Sequence, residues 1–200
     1  MAIIGVRGLK TAVLDESTNT YKEGQTVSDT IDVDLKINNN DAKLYADDQL
    51  VESDSTFKDG DIAIQLADID DEIKAKYLGH KYNEGETIYN KDDAAPYVGL
   101  GFYAMRKVHN VVKFRAIVLL KVKFSEPSEK YTTKGDSISF QTPTINGKVS
   151  TATDGVWKKD QTFDTEEEVQ KYIDTALNIT SQATNLEDQT ADPEDETDTE

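Results

Sequence analysis

The stretch Val111-Val112-Lys113-Phe114-Arg115-Ala116-Ile117-Val118-Leu119-Leu120-Lys121-Val122-Lys123-Phe124 decides the fold class. Val112, Phe114, Ala116, Val118, Leu120, Val122 and Phe124 recur at every second position, with Lys113, Arg115, Lys121 and Lys123 between them. A period of two is the signature of a strand with one dry face. The run is far longer than the about 5–6 residues usual for a strand in a compact domain. Strands that outrun a small core belong to a barrel or to a sheet shared between molecules.

Working outward, residues 96–107 form the natural partner of this strand. Further upstream, residues 31–37 (Ile-Asp-Val-Asp-Leu-Lys-Ile) alternate without an error, and residues 61–67 repeat the theme through Ile62, Ile64 and Leu66. Between these two lies an excursion over 38–60 with turn-rich ends, Asn38-Asn39-Asn40-Asp41 and Lys58-Asp59-Gly60-Asp61. Strand-like pieces at 43–46 and 49–52 flank Asp47-Asp48, so the excursion reads as a long hairpin arm. Further strands are predicted at 137–142 and 156–163.

Two helices punctuate the strands. One spans 70–78 and stops at Gly79, the residue type favoured just past a helix end. The other starts after Thr165, with Glu168 three residues on to complete a capping box. Glu166, Glu167 and Glu168 suit the positive end of its dipole, and Val169, Tyr172, Ile173 and Leu177 supply its apolar stripe. The predicted class is mainly β, a β-sandwich with one or two short flanking α-helices over residues 1–177. Residues 178–200 form an acidic tail whose composition is that of a flexible segment.

Charge and composition exclude several functions. The 200 residues carry a net charge of −17, and the eight acids after Thr180, unmatched by any base, leave −9 for residues 1–180. Nucleic-acid readers need clustered Lys and Arg, so this acidity argues against one. There is no cysteine, which excludes disulfides, thiolate metal sites and thiol nucleophiles. Nine Tyr, six Phe and one Trp suit half-buried sheets and interfaces. No export signal or membrane span is legible, which points to a soluble protein made without export.

The candidate chemical motifs dissolve on inspection. His80 and His109 sit beside predicted turns without a partner at ligand spacing, and both read as ordinary surface histidines. Gly99-Leu100-Gly101 lacks the third glycine and the following helix of a dinucleotide fingerprint. Glycines where a strand bends or approaches another backbone account for it better. Asp68, Asp70, Asp71 and Glu72 could hold a hard cation, but acids at a helix start are expected as caps. Asn178-Ile179-Thr180 fits a glycosylation pattern by chance. Nothing assembles a nucleophile, a base and an oxyanion site, so no enzyme activity and no cofactor are expected.

A set of stretches, taken in order, is similar to a known family. They are Gly8-Leu9-Lys10, Lys43-Leu44-Tyr45-Ala46-Asp47-Asp48, Asp71-Glu72-Ile73-Lys74 with Leu78-Gly79-His80, and Tyr97-Val98-Gly99-Leu100-Gly101-Phe102-Tyr103. They continue with Phe114 to Phe124, Pro127, Thr133-Lys134-Gly135-Asp136-Ser137-Ile138-Ser139-Phe140-Gln141-Thr142-Pro143 and Gly147. Over roughly residues 5–177 the chain resembles the major tail proteins of long-tailed phages, the phi13-like group of tail tube proteins.

The resemblance implies a tail-tube β-sandwich whose six copies form a ring, the rings stacking into the tube that conducts DNA to the host. The implied partners are the chain itself and other phage tail proteins (tape measure, tail terminator, distal tail protein), with DNA passing unbound and no membrane contact. The implied location is the virion, after assembly in the bacterial cytoplasm. Within that frame the polar residues Asp32, Asp34, Lys36, Asp61 and Gln65 are candidates to face the lumen, where carboxylates would repel DNA phosphates. The basic face of 111–124 would then lie at subunit contacts or balance that wall. Leu44, Tyr45, Asp47, Asp48 and Leu50 are candidate ring–ring contacts of the arm. The competing reading is a secreted or surface adhesive, carbohydrate-binding β-sandwich, for which Trp157 alone makes a poor platform. A hydrolase on a β scaffold lacks its constellation.

Overall fold

The computed structural model describes residues 2–27, 30–46, 49–109, 111–128, 133 and 142–179. In chain order these form β1 (Ala2–Asp15), β2 (Thr20–Thr26), β3 (Thr30–Ala46), β4 (Gln49–Leu66), α1 (Asp71–Leu78), β5 (Lys81–Asn83) and β6 (Glu86–Ile88). They continue as β7 (Tyr97–Val108), β8 (Val111–Ser125), β9 (Thr144–Val149), β10 (Lys158–Phe163) and α2 (Glu166–Ala176). The fold is mainly β with two short helices, as the alternation predicts. The predicted strand at 137–142 lies outside the described residues except for Thr142, and so does the tail from 180 on.

One antiparallel sheet runs in the order β2-β1-β7-β8-β9-β4-β3, with β10 also on β8; β5 and β6 form a separate hairpin. The outer edge of β8 is divided. Its residues 122–125 pair with β9, and its residues 114–119 pair with β10. Between them the chain leaves the sheet over 150–157, anchored where Ser150 N–H donates to Lys121 O (2.9 Å) and Leu120 N–H donates to Trp157 O (3.1 Å).

A β-bulge sits at this fork. Leu100 pairs with Leu119 but Val98 pairs with Val122, so β8 carries one residue more than β7. An extra residue inverts the alternation beyond it. Val122 and Phe124 therefore join Ile117 and Leu119 in one core, while Ala116, Val118 and Leu120 enter another. This corrects the expectation of one unbroken apolar face over 112–124. Its basic complement is split as well, Lys113 and Arg115 standing on one face of the sheet and Lys121 and Lys123 on the other.

The first core forms because the sheet curls until β1 comes near β3. Val27 N–H, donating to Leu9 O at 2.8 Å, continues the β1–β2 pairing beyond the end of β2. Leu9, Ile62, Ile64, Leu66, Val98, Leu100, Leu119, Val122 and Val149 fill the curl. Helix α1 closes it with Tyr77 and Leu78, and Gln25 Nε2 donates to the Tyr77 hydroxyl at 3.0 Å. Asp70 caps α1 by accepting from Glu72 N–H (2.8 Å), and Gly79 ends it at φ 79°. Asp70 is thus a cap, and Asp71 and Glu72 stand in the first turn, where the positive end of the dipole favours acids.

The second core lies on the outer face of β7 and β8, where α2 lays down Val169, Ile173 and Leu177. Both halves of the predicted capping box form, Thr165 with Glu168. Strand glycines set how close the helix comes. A Cβ at Gly99 would stand 2.5 Å from the Tyr21 ring and 2.6 Å from Leu177, and one at Gly101 would stand 2.5 Å from Ile173. The glycine pair thus admits side chains of the covering helix rather than a second backbone.

Candidate functional site

The feature that stands out is the β3–β4 hairpin. Its 17 and 18 residues pair continuously from Thr30↔Leu66 to Ala46↔Gln49. Among its described side chains, those covered by the molecule's own core lie at the base, Val33, Leu35, Ile62, Ile64 and Leu66. From 39 to 43 and 53 to 56 every described side chain is exposed. At about 3.3 Å per residue the hairpin carries its pairing roughly 35 Å past Gly60. The predicted arm over 38–60 is therefore a single paired ribbon. Leu44, Tyr45 and Leu50 lie in its paired end, while Asp47 and Asp48 fall outside the described residues.

One aromatic contact fastens the base of the arm. A bulge at Lys58, between the pairs Asn38↔Asp59 and Asn39↔Phe57, keeps Phe57 on the inner face. Its ring stacks on Trp157 with centroids 4.4 Å apart and planes 3° from parallel. Trp157 lies in the segment that leaves the β8 fork, so the arm is tied to the centre of the sheet.

The five predicted polar positions share a face. Asp32 pairs with Gln65 and Lys36 with Asp61, and Asp34 stands between them opposite Ala63. Asp32, Asp34 and Lys36 are exposed, and Asp61 and Gln65 are half-buried. The apolar set behind them faces the core as expected, except that Ile31 and Ile37 at its ends remain exposed. Strand β9, which sequence reasoning missed, extends the same face with Thr144, Asn146 and Lys148. Lys148 Nζ lies 2.5 Å from Asp61, and Asn38 donates to both Asp59 (2.6 Å) and Asp61 (2.7 Å). The Lys148 and Asn38 contacts hold the Asp61 carboxyl below its ordinary value. Counting Asp32, Asp34, Asp59 and Asp61 against Lys36, β3 and β4 carry −3 on this face, and Lys148 of β9 reduces the three strands to −2.

His80 is not the surface histidine its neighbours in sequence suggest. Its side chain is 5% exposed, with Nδ1 2.6 Å from Asp93 and Nε2 2.5 Å from Glu126. The Tyr89 ring lies 4.3 Å away, centroid to centroid. Burial pushes its pKa down, but the two carboxylates outweigh burial and the net shift is upward. Both ring nitrogens are engaged, so the imidazole ties three segments together rather than offering a free base. His109 is exposed and serves the β7–β8 turn, where it takes the left-handed conformation (φ 47°) that a glycine would supply.

No helix among the described residues is long and apolar enough to cross a membrane. No protein-family model and no curated protein matches the chain.

Proposed function

We propose that this chain is a structural virion protein of the tail-tube kind, which assembles with its own copies into stacked sixfold rings that conduct DNA. The observation that carries the reading is the β3–β4 hairpin, paired from Thr30↔Leu66 to Ala46↔Gln49 with its described side chains over 39–43 and 53–56 exposed. A ribbon of this length holds its shape for a purpose outside the subunit, because backbone order costs about 1–2 kcal/mol per residue and its exposed polar side chains return little. The resemblance in sequence supplies the identity of the outside body, the neighbouring ring. The arm over 38–60 packs there beyond its Phe57–Trp157 fastening, with Leu44, Tyr45, Asp47, Asp48 and Leu50 as its candidate contacts. The virion is the place of action, after assembly in the bacterial cytoplasm, and the role needs neither catalysis nor a cofactor.

In this reading the face of Asp32, Asp34, Lys36, Asp61 and Gln65 lines the channel, with β9 adding Lys148. Fixed charge of either sign is present, and the excess of carboxylate keeps DNA phosphates from settling on the wall. Electron microscopy of the purified chain tests the assembly: rings or tubes are expected. A strictly monomeric species by light scattering at high concentration, with no ring under any condition, refutes it. Replacing 39–58 by a tight turn should leave a folded subunit that cannot polymerise. Asp32→Lys with Asp34→Lys should give tubes that hold double-stranded DNA in a salt-sensitive way; unchanged DNA passage overturns the channel assignment.

A further inference from the structure

Charge is segregated within the fold. The β7–β8 hairpin, Tyr97–Ser125, contains Arg106, Lys107, Lys113, Arg115, Lys121 and Lys123 and no acid, so it holds +6 and the remainder of the chain −23 of the net −17. Four of the six, Arg106, Lys107, Lys113 and Arg115, stand in the distal half near the hairpin turn, where β1 begins alongside. Ala2 pairs with Lys107 and Ile3 with Arg106, while Lys107 pairs with Val112 and Val108 with Val111.

Among the described residues, the same end carries the largest apolar exposure on strands of the main sheet. Ile3 is 72% exposed, Val111 56%, Ile4 55% and Val112 42%. By alternation Val111 and Val112 face opposite sides, so the sheet end is apolar on both surfaces. Ile3 of β1 and Val111 of β8 stand on one face with β7 between them, and Val112 stands on the other, so exposed aliphatic side chains flank the basic end of β7.

We propose that this tip, formed by the ends of β1, β7 and β8, is an interface that seats against the acidic surface of a second copy of the chain. Charge complementarity selects the occupant. A basic end on a body whose residues 1–180 are otherwise −15 attracts another body of the same kind head to tail, which is a heterologous contact able to close into a ring. The apolar residues supply affinity once the charges have set the approach. Within the subunit Lys113 Nζ lies 2.5 Å from Asp164 and Arg115 pairs with Asp160, so two of the tip's four cations are met internally and its Arg106–Lys107 side is the one that meets a partner's carboxylates. Aliphatic side chains at the tip's centre fit a protein better than a phosphate backbone. The proposal names a contact for the assembly proposed above and shares its premise of self-association, but it does not require rings or tubes.

The test uses the full chain and sedimentation velocity from low to high salt. Wild type is expected to associate, and to dissociate as salt rises. Ile3→Asp with Val111→Asp, and separately Lys107→Glu with Lys113→Glu, should weaken association at least tenfold, with far-UV circular dichroism unchanged. Ile88→Asp, an exposed aliphatic on β6, should associate as wild type. If the aspartate pair fails to fold, Ile3→Ser with Val111→Thr should show the same direction. Folded tip variants that associate as wild type overturn the proposal, as does salt-insensitive association or a tip that retains DNA instead. Salt-sensitive oligomers lost in the tip variants, without rings, support it while removing the tube reading. Tubes formed equally by wild type and folded tip variants remove this proposal alone. A strictly monomeric wild type removes both.

Discussion

Phe57→Ala isolates what fastens the arm to the body. The ring is half-buried and stacked at 4.4 Å and 3° on Trp157. Half of a phenylalanine's full burial stabilises by about 1 kcal/mol, and an aromatic pair adds about 0.5–1.5 kcal/mol beyond area. Removing the ring should therefore shift the docking equilibrium of the arm base by about 2 kcal/mol, roughly 30-fold. Trp157 is the sole tryptophan, so intrinsic fluorescence reads this contact without a label. The folded variant should show red-shifted emission and greater acrylamide quenching, with circular dichroism preserved. A cycle with Trp157→Leu, followed by urea unfolding, should return a coupling of about 0.5–1.5 kcal/mol. Emission and quenching unchanged in a folded Phe57→Ala protein would refute the reasoning, because Trp157 would then owe its environment to something else.

Gly101→Val should destabilise by several kcal/mol, with thermal melting as the measure, because its side chain collides with Ile173 of α2. Thr165→Ala removes one half of the capping box and should cost about 1 kcal/mol in urea unfolding. The proton on His80 binds more tightly in the folded state than at its ordinary pKa of 6.5, so its stabilisation is complete below that value. It is lost as pH rises through the raised folded-state pKa. The melting temperature of wild type relative to His80→Gln should therefore fall on raising the pH from 6 to 9, and an NMR titration of His80 should have its midpoint above 6.5. A midpoint at or below that value would contradict the paired geometry.

What could be read from the sequence was whatever repeats locally. Strands β3, β4, β7 and β8 alternate over many residues, and both helices carry their caps within three or four residues of their ends. Strand β1 was illegible because two register shifts, between Ile3 and Gly5 and between Arg7 and Lys10, break its alternation. Gly8 marks the second, at φ 64° and under the Tyr103 ring. In β9, Ile145 and Val149 alternate as a strand should, but Asn146-Gly147 reads as a turn. At Gly147 a Cβ would meet Phe124 at 2.9 Å, so the glycine is there for packing. The His80 contacts lie 13 and 46 residues away and the Phe57–Trp157 stack joins positions 100 apart. Spacing rules do not reach so far. The polar face of β3 and β4 was assembled correctly from alternation, but its Lys148 counter-charge came from the strand that was missed.

The bulge in β8 makes one strand obey two reading frames. Upstream of Leu120 the inner core takes odd positions, Ile117 and Leu119; downstream it takes even ones, Val122 and Phe124. The unchanged sequence paired without this bulge would turn Lys121 and Lys123 inward and expel Val122 and Phe124, as a frameshift garbles everything after it. Deleting Leu120 or Lys121 removes the extra residue itself, so a single alternation then keeps Val122 and Phe124 in the inner core and only the bulge is lost. The fork that lets β9 and β10 share one edge is thus stored as a single added residue. Substitutions along this strand should be compared within a frame, never across it.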